Sequence, residues 1–264
     1  MRLPEADVRD LTVAVAPGRE AALPGISDIC GWPLRDLGLF DRTLLRSMAM
    51  LSRRRVIAVH GLEHIAPERD PFILALNHTT RGEALWVPGM LVLLRHGRRI
   101  HFFADWNFRM IPGVGLLYRR AGAITVPRKP ARPRFLNVLK PLFTDKLPPM
   151  EQARRHLASG RPVGIFPEGT VNRDPARLLR GRYGAARLSL ETGVPVVPAG
   201  IRFPGTHDGA PPTESTPFEL HIGPPLSPPL TSNNKIPQQA VQNLHAEIMT
   251  ALSRLSGKSW QALK

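Results

Sequence analysis

Cysteine is all but missing from this 264-residue sequence: Cys30 stands alone. A disulfide framework and a cysteine zinc site are therefore excluded within the chain, and Cys30 itself reads as a small buried hydrophobe. Aromatic residues are scarce, 6% of the total, which is too few for a base-stacking platform. No nucleic-acid motif is recognisable either, so no nucleic-acid partner is expected. No window reaches 18 uninterrupted apolar residues, which argues against a transmembrane helix. The opening "MRLPEADVRDLTVAV" is acidic early and has no long apolar core of the secretory kind. A reducing, cytoplasmic setting is the expectation. Two catalytic signatures are also missing. There is no G-x-S-x-G elbow, and "GVGLLY" at 113–118 lacks the third glycine of a dinucleotide loop.

Acid is the last thing in short supply. Lys and Arg number 36 against 21 Asp and Glu, a net charge of +15. The imbalance is local: residues 81–200 hold 21 basic against 7 acidic residues, a net of +14. Such a field attracts anionic lipid, phosphate-bearing substrates and acidic carriers. With 42% apolar residues, the chain has enough material for a sizeable core.

Residues 1–33 show no period and read as an irregular leader. Over 34–52, "LRDLGLFDRTLLRSMAMLS", Leu34, Leu37, Phe40, Leu44, Leu45, Met48 and Leu51 recur near the helical period, with Arg35, Arg42 and Arg46 opposite. Two readings are open: a helix packed on the core, or a basic amphipathic helix lying on a membrane. The implied division is a leader with a membrane-associating helix over 1–54 and one domain over 55–264. In that domain strands are expected at 55–61, 71–76, 100–104, 123–127, 162–166, 195–201 and 218–223. Helices are expected at 83–95, 150–159, 183–192 and 237–255. The alternation predicts an α/β fold, a single mixed sheet covered by helices.

The densest chemistry lies in "LALNHTTRGEALWVP" at 74–88. An apolar strand ends before Asn77-His78, and Glu83 follows five residues after the histidine. On one continuous helix that spacing would separate the side chains by about 140°. They meet if His78 sits in the strand–helix loop and Glu83 in the first helical turn. Glu83 would then fix one imidazole nitrogen and leave the other to take a proton from a hydroxyl. The competing reading is a solvated turn histidine and a glutamate favoured by the helix dipole. Further on, "FPEGTVNRD" at 166–174 places Glu168, Gly169 and Thr170 after a buried strand, with Arg173 close by. "AITVPRKPARPR" at 123–134 places Arg128 and Lys129 at a strand end, a natural place for ligand contact in an α/β sheet. "GVPVVPAGIR" at 193–202 reads as core.

Taken in order, N-H-x-x-x-x-acid, G-x-I-x-V-x-R, F-P-E-G-T and V-P-V-V-P resemble the glycerolipid acyltransferase family over residues 55–202. That family includes the enzymes that acylate 1-acylglycerol-3-phosphate. The resemblance implies an O-acyltransferase that moves a fatty acyl group from acyl-CoA or acyl carrier protein to a lysophospholipid hydroxyl. It implies His78 as general base with Glu83 as its partner, and Arg128, Glu168, Gly169, Thr170 and Arg173 as the acceptor-binding set. Residues 194–198 would line the acyl side. No cofactor beyond the acyl donor and no metal is implied. His60 and His64 are four apart, but "HGLEH" crosses Gly61 and a turn, so no metal is expected there. The implied location is peripheral, on the cytoplasmic face of an anionic membrane.

Two departures mark this chain. The family usually has Asp where Glu83 stands, and the added methylene requires a backbone shift of about an ångström for the pair to form. The family also often continues F-P-E-G-T with Arg, where this chain has Val171. Arg173 is the candidate substitute. Other lysolipids, such as ornithine-type acceptors, fit the same blocks, as does a catalytically silent membrane-surface protein.

Overall fold

The computed structural model describes residues 20–21, 23–34, 37–131, 133–204, 210–229 and 236–261. In chain order the elements are β1 (Glu20–Ala21), α1 (Ile26–Gly31), α2 (Leu39–Ser52), β2 (Val56–His60), β3 (Ile73–Leu76), α3 (Glu83–Leu94), β4 (His101–Asp105), α4 (Val114–Ala121), β5 (Ile124–Val126), α5 (Lys140–Phe143), α6 (Pro149–Ala158), β6 (Val163–Ile165), α7 (Gly184–Thr192), β7 (Val196–Arg202), β8 (Phe218–Ile222) and α8 (Gln238–Ser256). The strands form one mixed sheet in the order β1-β2-β8-β7-β3-β6-β4-β5, the expected α/β architecture. From β7 to β5 all neighbours are parallel. β8 runs antiparallel to β7 and parallel to β2, and β1 is antiparallel to β2.

The parallel core follows from its sequence. β3 reads Ile-Leu-Ala-Leu and is buried throughout, the continuous apolar run of a strand covered on both faces. Leu74, Leu76, Val197 and Ala199 turn to one side, where α3 supplies Val87, Met90 and Leu91. Ile73, Ala75, Val163 and Val196 turn to the other, against Leu157 of α6, Leu188 of α7 and Leu244 and Ile248 of α8. Each Val, Leu, Ile or Met side chain so removed from water contributes about 1.5–3 kcal/mol. α3 is apolar on nearly every side because it lies between the sheet and α2. Met48 and Ser52 of α2 approach closely at Gly89.

Three sequence readings change. The helix expected from residue 34 begins at Leu39, after an extended Gly38. Its apolar stripe is spent mainly inward: Leu45, Met48 and Ala49 are buried, while Leu39, Phe40 and Leu51 stay exposed. Cys30 is exposed, because α1 turns its neighbour Ile29 inward instead. The stretch expected as an irregular leader holds α1 and also β1, which pairs with β2 and extends the sheet. Most of that leader, residues 1–19 and 22, lies outside the described residues, as does Arg35 of the predicted basic face.

The last helix meets the sheet backbone to backbone. α8 ends directly on β7 at Gly200, where a Cβ would fall 2.2 Å from the Leu255 carbonyl carbon. Only glycine admits that approach. The chain then passes the Gly257 helix cap and turns Lys258 into the interior, where it is 4% exposed.

Candidate active site

Because β3, β6, β4 and β5 are parallel, their C-terminal ends share one edge of the sheet. His78 follows β3, Phe166 follows β6, and Arg128 follows β5. This edge is where open α/β sheets place ligands.

His78 sits in the loop between β3 and α3, and Glu83 opens the helix. His78 Nδ1 lies 3.1 Å from Glu83 Oε2. Glu83 is fully buried and accepts from the backbone N–H groups of Thr79 at 2.7 Å and Thr80 at 2.9 Å. The longer side chain thus meets the histidine by folding back over its own loop. A carboxylate only accepts, so Nδ1 carries the hydrogen and Nε2 presents a lone pair. Among the described residues none bonds to Nε2. The ring is stacked on Phe166 at 4.4 Å.

The loop is held from three directions. Asn77 is buried and bridges to β7, accepting from Ile201 N at 2.7 Å and donating to Ile201 O. Glu168 accepts from His78 N at 3.0 Å through Oε1, and from Asn172 Nδ2 and Leu179 N at 2.7 and 3.0 Å through Oε2. Asn172 N in turn donates to His78 O at 2.7 Å. Through these bonds the Glu168 carboxylate braces the histidine loop.

Lys258 supplies the third support. Its Nζ donates to Thr79 Oγ1 at 2.9 Å and to the Asp174 carbonyl at 2.8 Å. Burial lowers its pKa from the usual lysine value, and the charges of Glu168, Glu83 and Asp174 oppose that shift. A buried ammonium therefore faces two buried carboxylates, one bonded to His78 Nδ1 and one to His78 N. Sequence reasoning missed Lys258, because "SGKSW" carries no local sign of burial.

The remaining expected residues lie on the rim. Gly169 has φ +67°, the left-handed region that favours glycine, and a Cβ there would meet Arg182 Nε at 2.5 Å. Thr170 is exposed beside it. Arg173 is exposed and pairs with Glu214 at 3.3 Å. Glu214 also accepts from Gly82 N at 3.0 Å, so the Arg173 side chain is tied to the far end of the histidine loop. Arg128 is exposed just beyond β5. Its loop is pinned from below by buried Trp106, whose Nε1 donates to Lys129 O at 2.8 Å. Three strand spacings, about 14 Å, separate β3 from β5, so Arg128 must reach back along the edge to share a ligand with His78.

An apolar groove, open to solvent, runs beside the site. Leu44 and Met48 of α2, Leu85 and Pro88 of α3, Phe102 of β4 and Leu117 of α4 line it. Phe102 lies 5.8 Å from Phe166, the ring stacked on His78, so the groove approaches the histidine through two phenylalanines. Residues 194–198, which the resemblance places on the acyl side, do not line this groove. Val196 and Val197 are central-strand core, level with Ile73 and Leu74.

A family model described as acyltransferase matches residues 56–202. The chain belongs to the acyltransferase family. The matched stretch opens at β2 and closes at β7, so it holds the dyad, the brace, Arg128 and Arg173 but not Lys258. Among solved structures the chain is similar to the 1-acyl-sn-glycerophosphate (LPA) acyltransferase PlsC from Thermotoga maritima. The two share 21% identity over 86% of this chain and 85% of that one, with a TM-score of 0.55, a likeness of acyltransferase fold. No curated protein sequence matches the chain.

Proposed function

We propose that this acyltransferase moves a fatty acyl group from acyl-CoA or acyl carrier protein to the hydroxyl of a lysophospholipid, with 1-acylglycerol-3-phosphate as the leading acceptor. The observation that carries the reading is the His78–Glu83 pair at 3.1 Å, with Nε2 open beside an apolar groove and a cationic rim. Nε2 takes the acceptor's hydroxyl proton as the oxygen attacks the thioester carbonyl. Glu83 stabilises the imidazolium so formed. The tetrahedral intermediate collapses, the C–S bond breaks, and the departing thiolate recovers the proton from Nε2. Ester and free thiol leave, and no metal enters the balance. The groove takes the acyl chain, and Arg128, Thr170 and Arg173 face the acceptor's phosphate.

The same chemistry suits work at an anionic membrane surface. Among the described residues no helix is long and apolar enough to cross a membrane. Phe135, Val138 and Leu142 recur at helical spacing and are 73–78% exposed, with Arg134 and Lys140 on the same segment. Apolar side chains flanked by cations suit insertion into an anionic headgroup layer.

The test is acyl transfer by the purified chain, with oleoyl- or palmitoyl-CoA and a panel of lysolipids that includes lysophosphatidate and an ornithine-type lysolipid, read by mass spectrometry. The expected result is ester from lysophosphatidate. His78→Ala should lower the rate by about 10²–10⁴-fold, and Glu83→Gln should lower it with the acceptor KM nearly kept. Product from the ornithine lipid alone would move the acceptor assignment. No product from any pair, with vesicle binding intact, would favour a silent membrane-surface protein.

A further inference from the structure

We propose that His60, Glu219 and His221 form a binding site for a divalent transition-metal ion, zinc being the best suited, which staples β2 to β8. His60 closes β2, and His221 is its register partner on the parallel strand β8. Side chains alternate along a strand, so Glu219, two residues before His221, projects on the same face. Their ligand atoms all lie within 4.8 Å of one another. The two imidazole rings are stacked, with centroids 4.3 Å apart and planes 18° apart, and His221 Nε2 lies 2.9 Å from Glu219 Oε2.

Ligands at zinc bond length on a tetrahedron are about 3.3 Å apart. His221 Nε2 and Glu219 Oε2, 2.9 Å apart, already stand near that value, and rotation of the two imidazoles out of their stack, on fixed strands, brings the His60 nitrogen to the same ion. Two imidazoles and one carboxylate form a ligand set that suits zinc, and three protein ligands leave one position open. The neighbouring arginine is bonded elsewhere. Arg202 is the register partner of Glu219 on β7, but its guanidinium donates to the carbonyls of Arg254 and Leu255 at the end of α8. All three ligands are partly exposed, so an ion has access from solvent.

The position gives the ion a structural task. β8 lies beyond the family-matched stretch, and β2 opens it. β2 joins the rest of the sheet through β8 alone, its other neighbour being the two-residue β1. A metal bridging His60 and His221 holds that junction by coordination as well as by the ladder. Along the chain the nearest other histidine to His60 is His64, across a turn. The partner the fold supplies comes from the far side of the family-matched stretch.

The test is titration of the full chain, free of any histidine tag and stripped of metal, with zinc chloride by calorimetry and with cobalt chloride by visible absorption. The result expected is one equivalent bound with micromolar or tighter affinity and a cobalt spectrum of nitrogen and oxygen ligation. His60→Gln and His221→Gln should each weaken binding by about 100-fold, and Glu219→Gln by about 10-fold, as loss of a directly bound ligand does. His156→Gln serves as control, because His101 and His156 form another stacked imidazole pair, at 3.9 Å, and should leave binding unchanged. Zinc should raise the melting temperature of wild type and control alone. Absence of saturable binding to the wild type overturns the proposal. So does binding that survives both substitutions at His60 and His221, or that disappears in the control. None of these readouts depends on acyl transfer.

Discussion

The two halves of the candidate site are built to opposite specifications. On the histidine side, Asn77, Glu83, Glu168, Asn172 and Lys258 are buried and every one is bonded within the protein. On the cationic side, Arg128, Thr170 and Arg173 stand exposed, and Arg173 holds one partner at 3.3 Å. A general base must be placed to within a fraction of an ångström, and misplacement by one costs a large rate factor. An anion site can work by field, with long side chains that settle when the ligand arrives. Under the proposed function, the contrast puts precision at the proton transfer and adaptability at the acceptor.

Substitutions can break that contrast, the most severe at Lys258. Lys258→Met takes the Nζ donor away from Thr79 Oγ1 and from the Asp174 carbonyl, and each buried acceptor left unsatisfied costs about 1–3 kcal/mol. Denaturant unfolding at neutral pH should show that loss, together with a fall in kcat. Glu168→Gln is next. One carboxylate oxygen becomes an amino group facing N–H donors, at a cost of about 1–3 kcal/mol. Its melting temperature should drop, and kcat should fall more than the acceptor KM rises, since Glu168 positions the His78 backbone. Arg128→Ala sharpens the comparison from the other side. Its stability should stay within about 0.5 kcal/mol of wild type, as for exposed sites. Its acceptor KM should rise with kcat nearly kept, and the rise should shrink at high salt, where exposed charge is screened.

Much of the fold and of the dyad was legible in the sequence because it rests on local pattern. β3 announces itself as an apolar run, α2 by its period, and the His78–Glu83 pair by a histidine placed between a strand end and a helix start. Residues 55–202 carry enough ordered blocks to resemble one family, and the family match covers nearly the same span. The rest depends on contacts between distant parts of the chain. The apolar period beginning at Leu34 hides the helix start at Leu39, which the extended Gly38 sets. α4 reads only as a failed dinucleotide loop, because its glycines mask a helix that packs beside Arg109. The brace role of Glu168 depends on a partner 90 residues earlier in the chain. Glu214 is likewise bonded to Gly82, 132 residues before it.

Lys258 is also a matter of timing. It bonds to a threonine 179 residues before it. A ribosome that has finished β7 has made the whole family-matched stretch, yet it has not begun the helix that delivers the ammonium. In a nascent chain of that length, Glu83 and Glu168 have no cation to face, and the histidine loop lacks one of its three supports. The third support of the histidine loop is therefore made late in synthesis, when α8 docks on Gly200 and carries Lys258 beneath the loop.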